Sequence, residues 1–143
     1  MHPHFMWVYY ALMWVWCDDT MRRAMPSEPA FVTIHILEDD PGVRDSLRIL
    51  LQSHGYRAAS YRDAESFLQA PPPHAADTVI VDLNLPGIGG LAVIRWLLSM
   101  KAQPRVIAIT GEPQATIDAQ LKGLRPPVLL RKPLSEAVIT AHL

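Results

Sequence analysis

From residue 31 onward, short apolar runs rich in strand formers alternate with segments whose apolar residues recur at helical spacing. Residues 31–37 (FVTIHIL) predict a strand that stops abruptly at Glu38-Asp39-Asp40. Pro41 then suits the first position of a helix, with Asp40 as its N-cap. Val43, Leu47, Leu50 and Leu51 share one face of that helix until His54-Gly55 ends it. A weaker strand at 57–60 and a helix at 63–69 lead to the linker Pro71-Pro72-Pro73. Residues 78–81 (TVIV) have the unbroken character of a strand covered on both faces, and they end at Asp82. Beyond a Pro86-Gly87 turn, Leu91, Ile94, Trp96, Leu97 and Leu98 mark a third helix. A fourth strand at 105–109 ends at Thr110-Gly111, and a short helix is predicted over 113–122. A fifth strand at 128–130 runs into Arg131-Lys132-Pro133, and a last helix starts near Ser135.

Five strands alternating with five helices predict an α/β fold, a doubly wound parallel sheet with helices on both faces. The informative feature is where the polar residues fall. Glu38 and Asp39 follow the first strand, Asp82 the third, Thr110 the fourth and Lys132 the fifth. Open α/β sheets bind ligands beyond the carboxyl ends of their strands, at the switch point in strand order. In the order 2-1-3-4-5, strands 1 and 3 are neighbours there, which puts Glu38, Asp39 and Asp82 side by side. Three crowded carboxylates repel one another unless a cation sits among them or some are protonated. A few carboxylates with remaining water is the all-oxygen ligation that Mg²⁺ prefers. Lys132 adds positive charge and Thr110 a hydroxyl, both suited to phosphoryl oxygens. Asp82, on the middle strand, is the candidate nucleophile, because carboxylates form aspartyl phosphates.

Composition changes this picture little. A chain of 143 residues has room for one domain, and a net charge of -1 gives no general pull towards nucleic acid or anionic lipid, so no direct nucleic-acid contact is expected. One cysteine, Cys17, cannot form an internal disulfide, which favours a reducing, cytoplasmic setting. No Cys/His cluster has zinc spacing. The segment 5–17 (FMWVYYALMWVWC) stands apart: its apolar run of 13 residues is short of the roughly 20 needed to span a bilayer. It lacks a basic flank and a cleavage site for a secretory signal. It reads as a translated stretch ahead of a true start at Met21 or Met25, as an interfacial anchor backed by Arg22 and Arg23, or as an extra packing element. Membrane contact is expected only if it acts as an anchor. The expected division is 1–29 as an N-terminal extension and 30–143 as the domain.

The series Glu38-Asp39, Asp82, Thr110 and Lys132-Pro133 resembles the signature of response-regulator receiver domains, with intervals of 43, 28 and 22 residues. The stretches HILEDDPGVRDSL, VDLNLPGIGGL, VIAITG and LLRKPL each resemble the corresponding family segment, in the style of receivers that precede helix-turn-helix output domains. The resemblance implies the flavodoxin-like fold and a two-component or phosphorelay role, with Asp82 phosphorylated by a histidine kinase, a phosphotransfer protein or a small phosphodonor. It implies Mg²⁺ bound by Asp39, by Glu38 more often through water, by Asp82 and by the backbone carbonyl of Asn84. Thr110 and Lys132 would contact the phosphoryl oxygens. The chain would be no enzyme beyond its own phosphorylation and dephosphorylation, with Asn84 and Glu112 as the pair that tunes the latter. A cis bond before Pro133 is usual in the family. Three places depart from it. Glu38 stands where Asp is commoner, and Leu129 stands where an aromatic often swings inward, which leaves a backbone or loop rearrangement as the open alternative for switching. Pro126-Pro127 also replaces the usual small-residue entry to the fifth strand. Ten residues follow Pro133, so a stand-alone receiver, or one truncated at its end, is expected. Its output would then be a downstream partner or a homodimer formed through the last two helices and fifth strand.

Plainer roles compete for single residues. Asp40 reads as a cap and not a ligand, His35 as a packed core residue, His54 as a helix-end residue and Trp96 as packing. Of the whole-chain alternatives, the first is a degenerate receiver acting as a phosphorylation-independent interaction module. An aspartyl phosphatase would carry Asp-x-Asp on its first strand, and a flavin carrier would not place Glu38-Asp39-Asp40 against a phosphate.

Overall fold

The computed structural model describes residues 32–121 and 123–143; the N-terminal segment, including the aromatic run at 5–17, lies outside the described residues. Within them run β1 (Thr33–Leu37), α1 (Pro41–Ser53), β2 (Arg57–Tyr61), α2 (Ala64–Gln69), β3 (Thr78–Asp82), α3 (Gly90–Ser99), β4 (Arg105–Thr110), α4 (Gln114–Leu121), β5 (Val128–Arg131) and α5 (Glu136–Ala141). The strands form one parallel sheet in the order β2-β1-β3-β4-β5, as predicted.

Alternation along the strands builds a core on each face. Leu37, Val79, Val81, Val106 and Ala108 point to the side covered by Phe67 of α2, by Val93, Ile94 and Leu97 of α3, and by Ile117 of α4. Ile34, Ile36, Ile80, Ile107, Ile109 and Leu130 point the other way, against Leu47 and Leu51 of α1 and Ile139 of α5. β3 is buried along its whole length, which is why its sequence shows no period of two. The helix starts follow local chemistry. The Asp40 carboxylate accepts from the N–H groups of Gly42 and Val43, Asp63 from Ser66 and Ser135 from Val138.

The strands β3, β4 and β5 each run one residue further than the apolar pattern predicts, to Asp82, Thr110 and Arg131. The backbone ladder accounts for it: Asp82 pairs with Ile109 and Thr110 with Arg131, and a polar side chain does not interrupt main-chain pairing. β1, conversely, starts at Thr33. His35 is buried as expected, but it is not merely packed. Its Nε2 lies 3.0 Å from Asp77 Oδ2 at the amino end of the sheet. Asp77 also accepts from the N–H groups of Thr33 (3.1 Å) and His74 (3.0 Å). Burial alone would raise its pKa; the His35 contact and these two N–H groups outweigh that and hold it below the usual carboxylate range. Trp96 packs only in part: its ring meets Phe67 edge-on at 6.1 Å while 37% of the residue stays exposed. His54 caps α1 and reaches Glu136 of α5 at 2.8 Å.

Candidate functional site

The carboxyl edge of the sheet brings together Glu38, Asp39, Asp82 and Lys132, and Thr110 is tied to Lys132 by a backbone hydrogen bond. Glu38, the residue after β1, keeps the β1–β2 pairing going through its N–H to Tyr61 O (3.1 Å), and its side chain is fully buried. Glu38 Oε1 accepts from the Asp40 N–H at 3.2 Å. Glu38 Oε2 lies 2.8 Å from Lys132 Nζ but accepts no well-directed hydrogen bond. Asp39 is exposed beside it. Asp82, the last residue of β3 and 2% exposed, accepts the Asn84 N–H on Oδ1 and the Lys132 ammonium on Oδ2, each at 3.0 Å. One carboxylate oxygen from each of Glu38, Asp39 and Asp82 lies within 4.8 Å of the other two. That spacing and the all-oxygen donor set fit a hard divalent cation.

Lys132 sits just past β5, and its N–H donates to Thr110 O at 2.8 Å; the Lys132–Pro133 bond is cis. Thr110 closes β4, fully buried, and its hydroxyl accepts the Glu112 N–H at 3.0 Å. Across the mouth of the site the Asn84 amide donates to Glu112 Oε1 at 3.1 Å. Burial and the Asp82 charge push Glu38 up to about 7, against the opposing pull of Lys132 and the Asp40 N–H. Burial works against the charged Lys132, but its two carboxylate partners prevail and raise its pKa.

Two residues that pattern alone did not single out complete the arrangement. Gly90 opens α3 against the back of Asp82, so close that a Cβ there would fall 2.0 Å from the Asp82 carbonyl oxygen. Arg44 of α1 donates from one terminal nitrogen to the backbone carbonyls of Glu38 (2.9 Å) and Asp39 (3.3 Å).

A family model described as the response regulator receiver domain matches residues 34–143. The chain belongs to that family. As a receiver of the two-component response-regulator type, it is 32% identical over 113 residues to the transcriptional regulatory protein FixJ of Azorhizobium caulinodans, covering 79% of this chain and 54% of that one. It is 32% identical over 108 residues to the transcriptional activator protein PfeR of Pseudomonas aeruginosa, covering 75% and 35%. The crystal structure of FixJ-N superposes with a TM-score of 0.67 at 28% identity, over 78% of this receiver and 89% of that chain. The receiver spans about half the length of the FixJ proteins that it matches.

Proposed function

We propose that this receiver is a phosphorylation switch in which Asp82 accepts a phosphoryl group in a Mg²⁺-dependent reaction. The observation that carries this is the Asp82 carboxylate itself: buried, bound to Lys132 through one oxygen, and ringed by two further acids whose mutual repulsion calls for a cation. Glu38, Asp39, Asp82 and the backbone carbonyl of Asn84 would hold Mg²⁺, which when bound neutralises charge on the phosphoryl oxygens. An Asp82 oxygen forms a bond to phosphorus as the bond from phosphorus to the donor's nitrogen or oxygen breaks, and the bonding pair leaves with the donor. The Asn84 N–H fixes one Asp82 oxygen in place. Lys132 and the Thr110 hydroxyl meet the arriving oxygens, so positioning and charge neutralisation do most of the work.

Upstream stands a histidine kinase or phosphotransfer protein. Downstream stands a partner protein, or a second copy, on the face made by α4, β5 and α5, with residues 30–143 as the receiver unit and the cytoplasm as its setting. Leu129 stands where an aromatic would report Thr110 motion, so the signal would pass through a backbone or loop rearrangement. Incubation with acetyl phosphate and Mg²⁺, read by intact mass, should add one phosphoryl group to the wild type and none to Asp82→Asn. A wild type that gains no mass with the site intact selects the phosphorylation-independent interaction module instead. The Asn84–Glu112 contact lies where hydrolytic water would enter, so Glu112→Leu should change the decay rate of the phosphorylated protein. An unchanged rate removes Glu112 from that role.

A further inference from the structure

We propose that Arg44 is a positioning residue for the divalent cation, holding the turn that carries Glu38 and Asp39. This rests on the phosphoacceptor reading above and adds to it a residue that touches neither cation nor phosphoryl group. The β1–α1 turn has an electrostatic reason to open. It presents Glu38, fully buried, and Asp39 beside Asp82, and outward relaxation of the loop would relieve the repulsion. Two contacts oppose that. The Asp40 cap ties the far end of the turn to α1, and the Arg44 guanidinium hooks the Glu38 and Asp39 carbonyls from the second turn of the same helix. Two N–H groups on one terminal nitrogen of a rigid plane can serve two carbonyls at once, which an ammonium on a flexible stem does less well. With both carbonyls held, the peptide planes that aim the two carboxylates are held as well. The half-buried positive charge also lies on the acids' own turn and eases their repulsion before any cation arrives. Arg48, one turn further on, supplies the contrast: its partner among the described residues is Asp45, at 3.6 Å.

The test is titration of MgCl₂ into the full chain by calorimetry, with thermal midpoints in EDTA measured alongside. Loss of a partner that orients metal ligands costs about 10- to 100-fold in affinity, so Arg44→Met should weaken the Mg²⁺ dissociation constant at least about tenfold. Arg44→Lys should fall between, and Arg48→Met should match the wild type. Phosphorylation by acetyl phosphate should need more Mg²⁺ for half-maximal rate in Arg44→Met, while the rate at saturating Mg²⁺ stays near that of the wild type. A dissociation constant for Arg44→Met within about twofold of wild type, or an equal loss in Arg48→Met, overturns the inference and leaves the phosphoacceptor reading standing. A wild type that takes up no Mg²⁺ overturns both. Should Arg44→Met lose its circular-dichroism signature, Arg44→Lys decides alone: affinity weakened about threefold or more supports the role, and wild-type affinity ends it.

Discussion

Removing the charge of Glu38 should make the metal-free protein more stable, not less. Its carboxyl is fully buried, shares Lys132 with Asp82, and is pushed from 4.5 up to about 7 by burial first and by the Asp82 charge as well. The folded state therefore keeps a proton between those two values that the unfolded chain has released. Stability falls as pH rises across that window, and the loss is complete above about 7. A tenfold change in proton affinity is worth about 1.4 kcal/mol, so the full loss is about 3 kcal/mol. At about 4 °C per kcal/mol for a domain of this size, the melting midpoint moves by about 10 °C. Glu38→Gln removes the charge and keeps the shape. In EDTA, urea or thermal unfolding of the two proteins at pH 5 and pH 8 should show the variant gaining on the wild type as pH rises. Ionisable groups common to both cancel in the difference. Mg²⁺ at pH 8 should raise the wild-type midpoint and do far less for Glu38→Gln, because a cation that needs the ionised carboxylate stabilises the state that holds it. Equal stability of the two proteins at pH 8 without Mg²⁺, or equal stabilisation of both by Mg²⁺, would refute the reasoning.

Two further changes probe the scaffold. Gly90→Ala places a methyl group against the Asp82 carbonyl, a backbone contact that cannot yield, so it should cost about 1–3 kcal/mol in urea unfolding and slow phosphorylation by acetyl phosphate. Stability and phosphorylation both unchanged would mean that α3 can slide. Asp77→Ala leaves His35 and the N–H groups of Thr33 and His74 without their shared acceptor; it should cost about 3 kcal/mol by thermal unfolding while Mg²⁺ affinity holds, and a loss of that affinity would contradict the separation of the two ends of the sheet.

Strand ends made the site legible. Each of Glu38, Asp39, Asp82 and Lys132 follows or closes an apolar run and alternation implies a parallel sheet, while the order that makes β1 and β3 neighbours is what the receiver resemblance implies and the sheet shows. Thr110 was legible in the same way, yet the contacts that define it, Glu112 N–H on its hydroxyl and Lys132 N–H on its carbonyl, are backbone relations that no pattern encodes. Arg44 could have been suspected from its place six residues after Glu38, but an arginine on an amphipathic helix reads as a solvated charge until its two carbonyl partners are seen. Gly90 follows Gly89 in what reads as turn sequence, and only the distance to Asp82 marks it as a close approach between helix and strand. Asp77 precedes an apolar strand, and no local pattern singles it out, because its partners His35 and Thr33 lie more than forty positions away.

A pair of buried acids at opposite ends of this sheet, Asp77 and Glu38, shows why burial by itself does not mark a functional carboxylate. Asp77 and Glu38 are 2% and 0% exposed, so both have lost their water. Asp77 has exchanged it for a histidine and two backbone N–H groups, which hold its pKa down; the sheet is stabilised by its charge. Glu38 has one backbone donor, a lysine that it must share, a like charge nearby and an oxygen with no directed partner, and its pKa rises. Folding alone favours the first arrangement and gains nothing from the second, since a glutamine or a hydrophobic side chain at position 38 would remove the cost. The divalent cation proposed at Glu38, Asp39 and Asp82 would account for an acid kept where it destabilises the empty protein, because its binding would reverse the sign.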